Sequence, residues 1–159
     1  AKPGKGKKKG AGLHGPATRS LNDIFVHLGA DASGLQNEPM PNSDAGAQPR
    51  PLSAQALQRL LGTDNPPLVV DVREQQELSL APFPGDVLHL PLSGAEQWMN
   101  TLEGTFQIER DVVVLCHAGV RSWQFGCWLL AQQPALTVWN LEGGIDAWSV
   151  QVDPTVPRY

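Results

Sequence analysis

The sequence has little cysteine and no long hydrophobic run. Two cysteines in 159 residues exclude the disulfide framework of a small secreted domain, so we expect a reducing compartment, the cytoplasm. No stretch approaches the ~20 consecutive apolar residues that a membrane helix needs. No apolar run follows the lysines near residue 1, so a signal peptide is not predicted. A cysteine that stays reduced is available for chemistry.

Lysine is absent after residue 9. All five lysines lie in the first nine residues, whereas from residue 51 onward five arginines stand against twelve carboxylates, a formal charge of −7. The lysine run predicts a solvated, solubilising tail, and an arm that contacts nucleic acid or an acidic partner is the alternative. Because the rest of the chain is acidic, nucleic-acid binding is not expected as its main task.

The composition changes near residue 50. Residues 1–17 are rich in glycine, lysine and proline, and residues 31–51 are rich in proline, glycine and small polar residues. These compositions predict a flexible extension over 1–50. Between the two segments, apolar residues at helical spacing predict one short amphipathic helix near 20–29. The folded domain is expected to occupy residues 51–159.

From residue 53 onward, helical and strand patterns succeed one another. Apolar runs of strand length predict four strands, at 67–72, 86–92, 111–116 and 136–141. Helical patterns predict four helices, at 53–62, 93–102, 122–133 and 143–150. Ser53 is expected to cap the first helix, and Ser93 and Glu96 to form a capping box on the second. The order of elements predicts an α/β domain with a central, mostly parallel sheet and helices on both faces.

Cys116 lies where the valine-rich third strand ends and the next helix is about to begin. In parallel sheets, ligands bind beyond the carboxyl ends of the strands. A tight turn there directs backbone N–H groups inward, and the following helix adds unpaired N–H groups and the positive end of its dipole. Gly119 permits a positive φ, and Arg121 adds a positive charge. Because all these features favour thiolate over thiol, Cys116 is predicted to be an activated nucleophile.

The segment CHAGVRS at 116–122 resembles the active-site loop of rhodanese-like sulfurtransferases. Three further segments resemble that family in the same order: VVDVRE at 69–74, FPGDVLHLPL at 83–92 and NLEGGIDAW at 140–148. The tail VDPTVPRY resembles the end of single-domain rhodaneses and of the rhodanese domain at the C-terminus of E1-like enzymes that activate sulfur carriers. The resemblance covers residues 51–159 and implies a single rhodanese-like domain.

The resemblance also implies a sulfurtransferase that carries sulfane sulfur as a persulfide on Cys116. The donor is expected to be thiosulfate or a persulfide, and the acceptor a thiophile, which includes a protein that accepts sulfur. No metal or organic cofactor is implied, and neither nucleic acid nor a membrane is expected as a partner. The loop that binds the substrate is expected to contain His117, Ala118, Gly119, Val120, Arg121 and Ser122. Asp71 and Arg73 are expected to brace loops near the site.

Other residues near these motifs receive smaller roles. His117 is expected to tune the electrostatics or to contact the substrate, not to act as a general base. Arg73 is expected to pair with Glu74 or Glu77. Cys127 lies in an apolar helical pattern, so we expect a buried small side chain, with a resolving thiol as the alternative. The glycine pair at 143–144 is expected to let the chain pass close to the active-site loop.

Two other functions stay open. A non-catalytic rhodanese-like binding module is the main alternative, although such modules usually lack the cysteine that this chain keeps. A phosphatase or arsenate reductase of the same fold is less favoured. Those enzymes use a longer loop between cysteine and arginine, wide enough for a tetrahedral phosphate, whereas only residues 117–120 intervene here.

Overall fold

The computed structural model describes residues 46–159 of the protein. Its strands are β1 Arg50–Leu52, β2 Leu68–Asp71, β3 Leu88–His89, β4 Val112–Leu115 and β5 Val138–Leu141. Its α-helices are α1 Ala54–Leu61, α2 Gln75–Leu80, α3 Ala95–Trp98, α4 Val120–Gln132 and α5 Gly144–Gln151. Short 3₁₀ turns at Leu92–Gly94 and Met99–Thr101 flank α3. The helix predicted near 20–29 lies outside the described residues.

The five strands form one parallel sheet in the order β1-β5-β4-β2-β3. The predicted α/β class with a parallel sheet is therefore confirmed. β4 lies at the centre, and each of its residues is buried because helices cover both of its faces. On one face, α1 and α5 pack over Val113 and Leu115. On the other face, α4 packs against β4 and β5.

Ser53 caps α1 as predicted, because its Oγ accepts a hydrogen bond from the N–H of Ala56 at 3.1 Å. The capping box predicted at Ser93 and Glu96 is wrong. The hydroxyl of Ser93 instead donates a hydrogen bond to the Glu74 carboxylate. The predicted helix over 93–102 is broken into α3 and its two flanking 3₁₀ turns.

Two elements of the structure have no counterpart among the predicted ones. β1 is three residues long and contains Pro51. Among the strands of residues 46–159 it pairs with β5 alone, so it is an edge strand on which a residue without an N–H is tolerated. Its Leu52 is nevertheless part of the buried core, and the preceding Pro49 is buried as well. The sequence of helix α2, QQELSL, lacks the apolar periodicity from which helices are predicted. In agreement with that, the helix has no buried residue.

No helix within residues 46–159 has the length and apolar character needed to cross a lipid bilayer. The longest of them, α4, has 13 residues. A helix of that length rises about 20 Å, which is less than the thickness of a bilayer core.

Candidate active site

Cys116 directly follows β4 and is 1% exposed. Gly119 occupies the left-handed region with φ 102°, and α4 begins at the next residue. This turn brings the N–H of Gly119 to 3.1 Å from the Cys116 Sγ, and the Oγ of Ser122 lies 3.3 Å from the same sulfur. The sulfur therefore lies at the N-terminus of α4, where N–H groups and the helix dipole stabilise a negative charge.

The start of α5 holds the backbone of this turn in place. The N–H of Ile145 donates to the carbonyl of Cys116 at 2.8 Å, and the N–H of Asp146 donates to the carbonyl of His117 at 3.2 Å. A Cβ atom on Gly144 would lie 2.4 Å from both carbonyl oxygens. The expectation that the glycine pair lets the chain pass close to the active-site loop is therefore confirmed. These bonds fix the peptide groups that precede the Gly119 N–H.

Asn140, near the end of β5, connects that strand to the active-site loop by hydrogen bonds. The sequence did not predict this role. Its Nδ2 donates to the carbonyl of Gly119 at 2.9 Å, and the Ser122 hydroxyl lies 2.5 Å from its Oδ1. Asn140 faces Val114 of β4 in the parallel pairing, so the register of the sheet places it beside the loop. One side chain thus contacts both a loop carbonyl and the hydroxyl next to Cys116.

Arg121 does not point its guanidinium into an open site. Its Nη1 and Nη2 donate to the two carboxylate oxygens of Glu77, each at 2.7 Å. The hydrogen bonds from this guanidinium lower the pKa of Glu77 to about 2, so Glu77 is ionised at neutral pH. Glu77 also lies in the first turn of α2, where its carboxylate accepts the N–H of Glu74 at 2.8 Å. Glu77 therefore belongs to the site, although the sequence predicted it only as a partner of Arg73.

The expected pairing of Arg73 with Glu74 or Glu77 is wrong. Arg73 is fully buried and forms its salt bridge with Asp71, with 2.8 Å between Nη2 and Oδ2. Its Nη1 also donates to the carbonyl of Ala81 at 2.9 Å. Burial selects this partner, because a buried guanidinium needs an equally buried carboxylate. The pair connects the end of β2 to the far end of α2 and so braces the loop between them.

Tyr159 lies over the active-site loop, and the sequence did not predict this position. Its ring stacks on His117 with 4.3 Å between the ring centroids. Its hydroxyl accepts a hydrogen bond from Arg73 Nη1 and donates one to Glu77 Oε1, each at 3.1 Å. The side chain is 82 positions from Glu77 along the chain, so no local pattern in the sequence indicates the contact.

Residues 53–151 match the family model described as rhodanese-like domain. The chain belongs to the rhodanese-like family. Two of the curated proteins similar to this rhodanese-like chain are named as sulfurtransferases, one of them putative.

Three curated proteins illustrate what this rhodanese-like chain is similar to. Rhodanese-like/PpiC domain-containing protein 12, chloroplastic, from Arabidopsis thaliana is 38% identical over 57% of this chain and 30% of its own length. Adenylyltransferase and sulfurtransferase MOCS3 from Xenopus laevis is 28% identical over 68% of this chain and 27% of its own length. A sulfurtransferase from Allochromatium vinosum is 35% identical over 62% of this chain and 86% of its own length. The chain thus spans less than a third of the first two relatives.

The second cysteine of this rhodanese-like chain lies apart from the loop contacts. Cys127 is half-buried on α4 rather than fully buried as expected, and both cysteines are free thiols. Burial raises the pKa of the Cys127 thiol, which disfavours the thiolate that attack on a persulfide requires.

Within residues 46–159, no three His, Cys, Asp or Glu side chains are grouped so that they could hold a metal ion.

Proposed function

We propose that the protein is a sulfurtransferase that carries sulfane sulfur as a persulfide on Cys116. The observation that supports this most directly is the position of its Sγ at the N-terminus of α4, 3.1 Å from the Gly119 N–H. This N–H and the helix dipole stabilise the attacking thiolate and, after transfer, the negative charge on the persulfide. The proposal includes a reducing compartment, the cytoplasm, because the nucleophile must remain a free thiol.

The reaction takes place in two displacements. The Cys116 thiolate attacks the outer sulfur of the donor, a new S–S bond forms, and the donor's own S–S bond breaks. The electron pair of that bond leaves with sulfite when the donor is thiosulfate, or with a thiolate when the donor is a persulfide. An acceptor nucleophile then attacks the outer sulfur, and the Cys116 thiolate leaves. Cyanide, a small thiol or a protein that accepts sulfur completes the cycle.

The short turn supports sulfur rather than phosphate as the group transferred. α4 already begins at Val120, so only three residues separate the nucleophile from the helix, and Arg121 is held by Glu77. A phosphatase needs an arginine that can clamp the phosphate oxygens. The presence of the cysteine likewise favours catalysis over a purely binding role.

Mass spectrometry of the intact protein tests this proposal. After incubation with thiosulfate or with a low-molecular-weight persulfide, we expect one added sulfur atom, located on Cys116 and removed by cyanide. Cys116→Ala should gain no sulfur and should transfer none to cyanide. Cys127→Ala is the matched control and should behave like the wild type in both assays.

If the wild type gains no sulfur from either donor, the protein is a binding module. If Cys116→Ala still transfers sulfur, the persulfide mechanism is wrong.

A further inference from the structure

The arginines at the active-site edge of the sheet are all paired with carboxylates. The pairs are Arg73 with Asp71, Arg121 with Glu77 and Arg158 with Asp146. His117, the remaining basic side chain of the loop, stacks on Tyr159. Residues 46–159 contain six arginines, no lysine and twelve carboxylates, a formal charge of −6. Within residues 46–159, an anionic donor therefore meets only guanidinium groups that carboxylates already neutralise near Cys116, and it approaches an acidic surface.

Glu77 is the residue that cancels the charge nearest the nucleophile. Its two oxygens bind both terminal nitrogens of Arg121, one of the oxygens also accepts the Tyr159 hydroxyl, and the other accepts the N–H of Glu74. Four hydrogen bonds from three residues hold the carboxylate in one position. Both terminal nitrogens of Arg121 are therefore directed at a carboxylate, which neutralises the guanidinium charge and occupies its end-on pair of donors.

Donors of sulfane sulfur differ in their net negative charge and in the group that leaves. Thiosulfate carries two negative charges and leaves as sulfite, whereas an organic thiosulfonate or persulfide carries at most one at its sulfur end. In both cases the Cys116 thiolate forms a bond to the outer sulfur, the donor's S–S bond breaks, and its electron pair leaves with the sulfite, sulfinate or thiolate. The Gly119 N–H and the α4 dipole supply roughly half a positive charge. This partial charge compensates a smaller share of the two charges of thiosulfate than of the single charge of an organic donor.

We propose that Glu77 determines the donor specificity of Cys116: by neutralising Arg121, it makes the site take sulfane sulfur from singly charged organic persulfides in preference to dianionic thiosulfate. This inference rests on the proposed sulfurtransferase function. The hydrogen bonds of the Glu77 carboxylate within residues 46–159 go to Arg121, Tyr159 and Glu74 and not to Cys116, so it acts through Arg121 as a positioning residue.

The experiment compares kcat/KM for two donors that differ by one charge, thiosulfate and methanethiosulfonate, with cyanide as the acceptor. The wild type should prefer methanethiosulfonate. Glu77→Gln keeps an oxygen for the Glu74 N–H but frees the charge of Arg121, so the ratio of thiosulfate to methanethiosulfonate activity should rise about tenfold. Glu96→Gln, which removes one negative charge from an exposed position on α3, is the matched control and should leave the ratio unchanged. Added salt should shrink the gain in Glu77→Gln.

A double variant distinguishes neutralisation of Arg121 by Glu77 from direct recognition of thiosulfate by Arg121. It also leaves neither of the two charges without a partner. Glu77→Gln with Arg121→Gln replaces a neutral ion pair by a neutral amide pair, so its donor ratio should equal that of the wild type. A ratio that falls about tenfold in the double variant would show that Arg121 binds thiosulfate directly in the wild type, and would overturn the inference.

The inference also fails if Glu77→Gln changes both donors alike. In either of these cases a cyanide-removable sulfur on Cys116 would leave the proposed function standing. If no donor loads Cys116 in the wild type, the proposed function fails together with the inference.

Discussion

Ser122 carries one hydroxyl proton, and two acceptors compete for it. The Oδ1 of Asn140 lies 2.5 Å away and the Cys116 Sγ 3.3 Å away. The shorter contact assigns the proton to the Oδ1 of Asn140. A rotation of the hydroxyl would instead direct the proton at the Cys116 Sγ. Asn140 therefore sets the resting direction of the Ser122 hydroxyl beside the nucleophile.

The variant Asn140→Asp tests this arrangement. The carboxylate adds a negative charge beside the sulfur, which disfavours the thiolate, and it has no N–H for the Gly119 carbonyl. We expect Cys116 to react with iodoacetamide at least about tenfold more slowly at neutral pH, with the difference shrinking as the pH rises. Asn100→Asp adds the same charge at an exposed position outside the site and serves as the control. Equal alkylation rates in the two variants would contradict the role given to Asn140.

Among the elements of the fold, α5 is the one whose first turn supports the active-site loop. Gly144 has φ +60°, and a Cβ there would meet two loop carbonyl oxygens. Gly144→Ala should therefore lower the free energy of unfolding by more than ~3 kcal/mol, since it combines left-handed strain with a backbone clash. Gly104→Ala is the matched control, because Gly104 has φ +75° and nothing within 4 Å of an added Cβ. It should cost only ~1–2 kcal/mol.

Urea titration of the two variants measures both values. A similar loss in both would mean that the loop backbone yields to the added methyl group, and that α5 does not fix its position.

How far the sequence predicts this structure depends on how local the signal is. β4 follows from its run of buried valines, and the nucleophile follows from the cysteine that ends it, since both are encoded in consecutive residues. β1 and α2 carry no such periodicity, because one is a three-residue edge strand and the other buries none of its residues. The Glu77–Arg121 and Glu77–Tyr159 contacts join residues 44 and 82 positions apart. They depend on the completed sheet, so only the fold reveals them.

For the whole molecule, β1 begins at Arg50, one residue before the domain boundary predicted at residue 51. Deletion of residues 1–45 should leave sulfur transfer within about a few-fold of the full chain, because the sheet, the core and the loop contacts all remain. Deletion of 1–52 also removes β1 and the buried Leu52. It should lower the Tm by about 10 °C or more, through the loss of core packing and strand pairing.

Thermal unfolding and thiosulfonate turnover of both truncated forms check this division. If the form without 1–45 unfolds or loses turnover with small donors, the extension belongs to the folded domain. If only transfer to a protein acceptor declines, the extension is a docking element.

Tyr159 is the sole tyrosine of the 159-residue chain, and its ring rests on the residue after the nucleophile. A fluorine atom introduced biosynthetically on tyrosine therefore produces one ¹⁹F resonance, and that resonance comes from the rim of the active site. Ring stacking on His117 makes its chemical shift sensitive to small displacements of the loop. The protein thus contains a built-in spectroscopic reporter, through which the empty and sulfur-loaded states can be followed during turnover without a substitution anywhere in the chain.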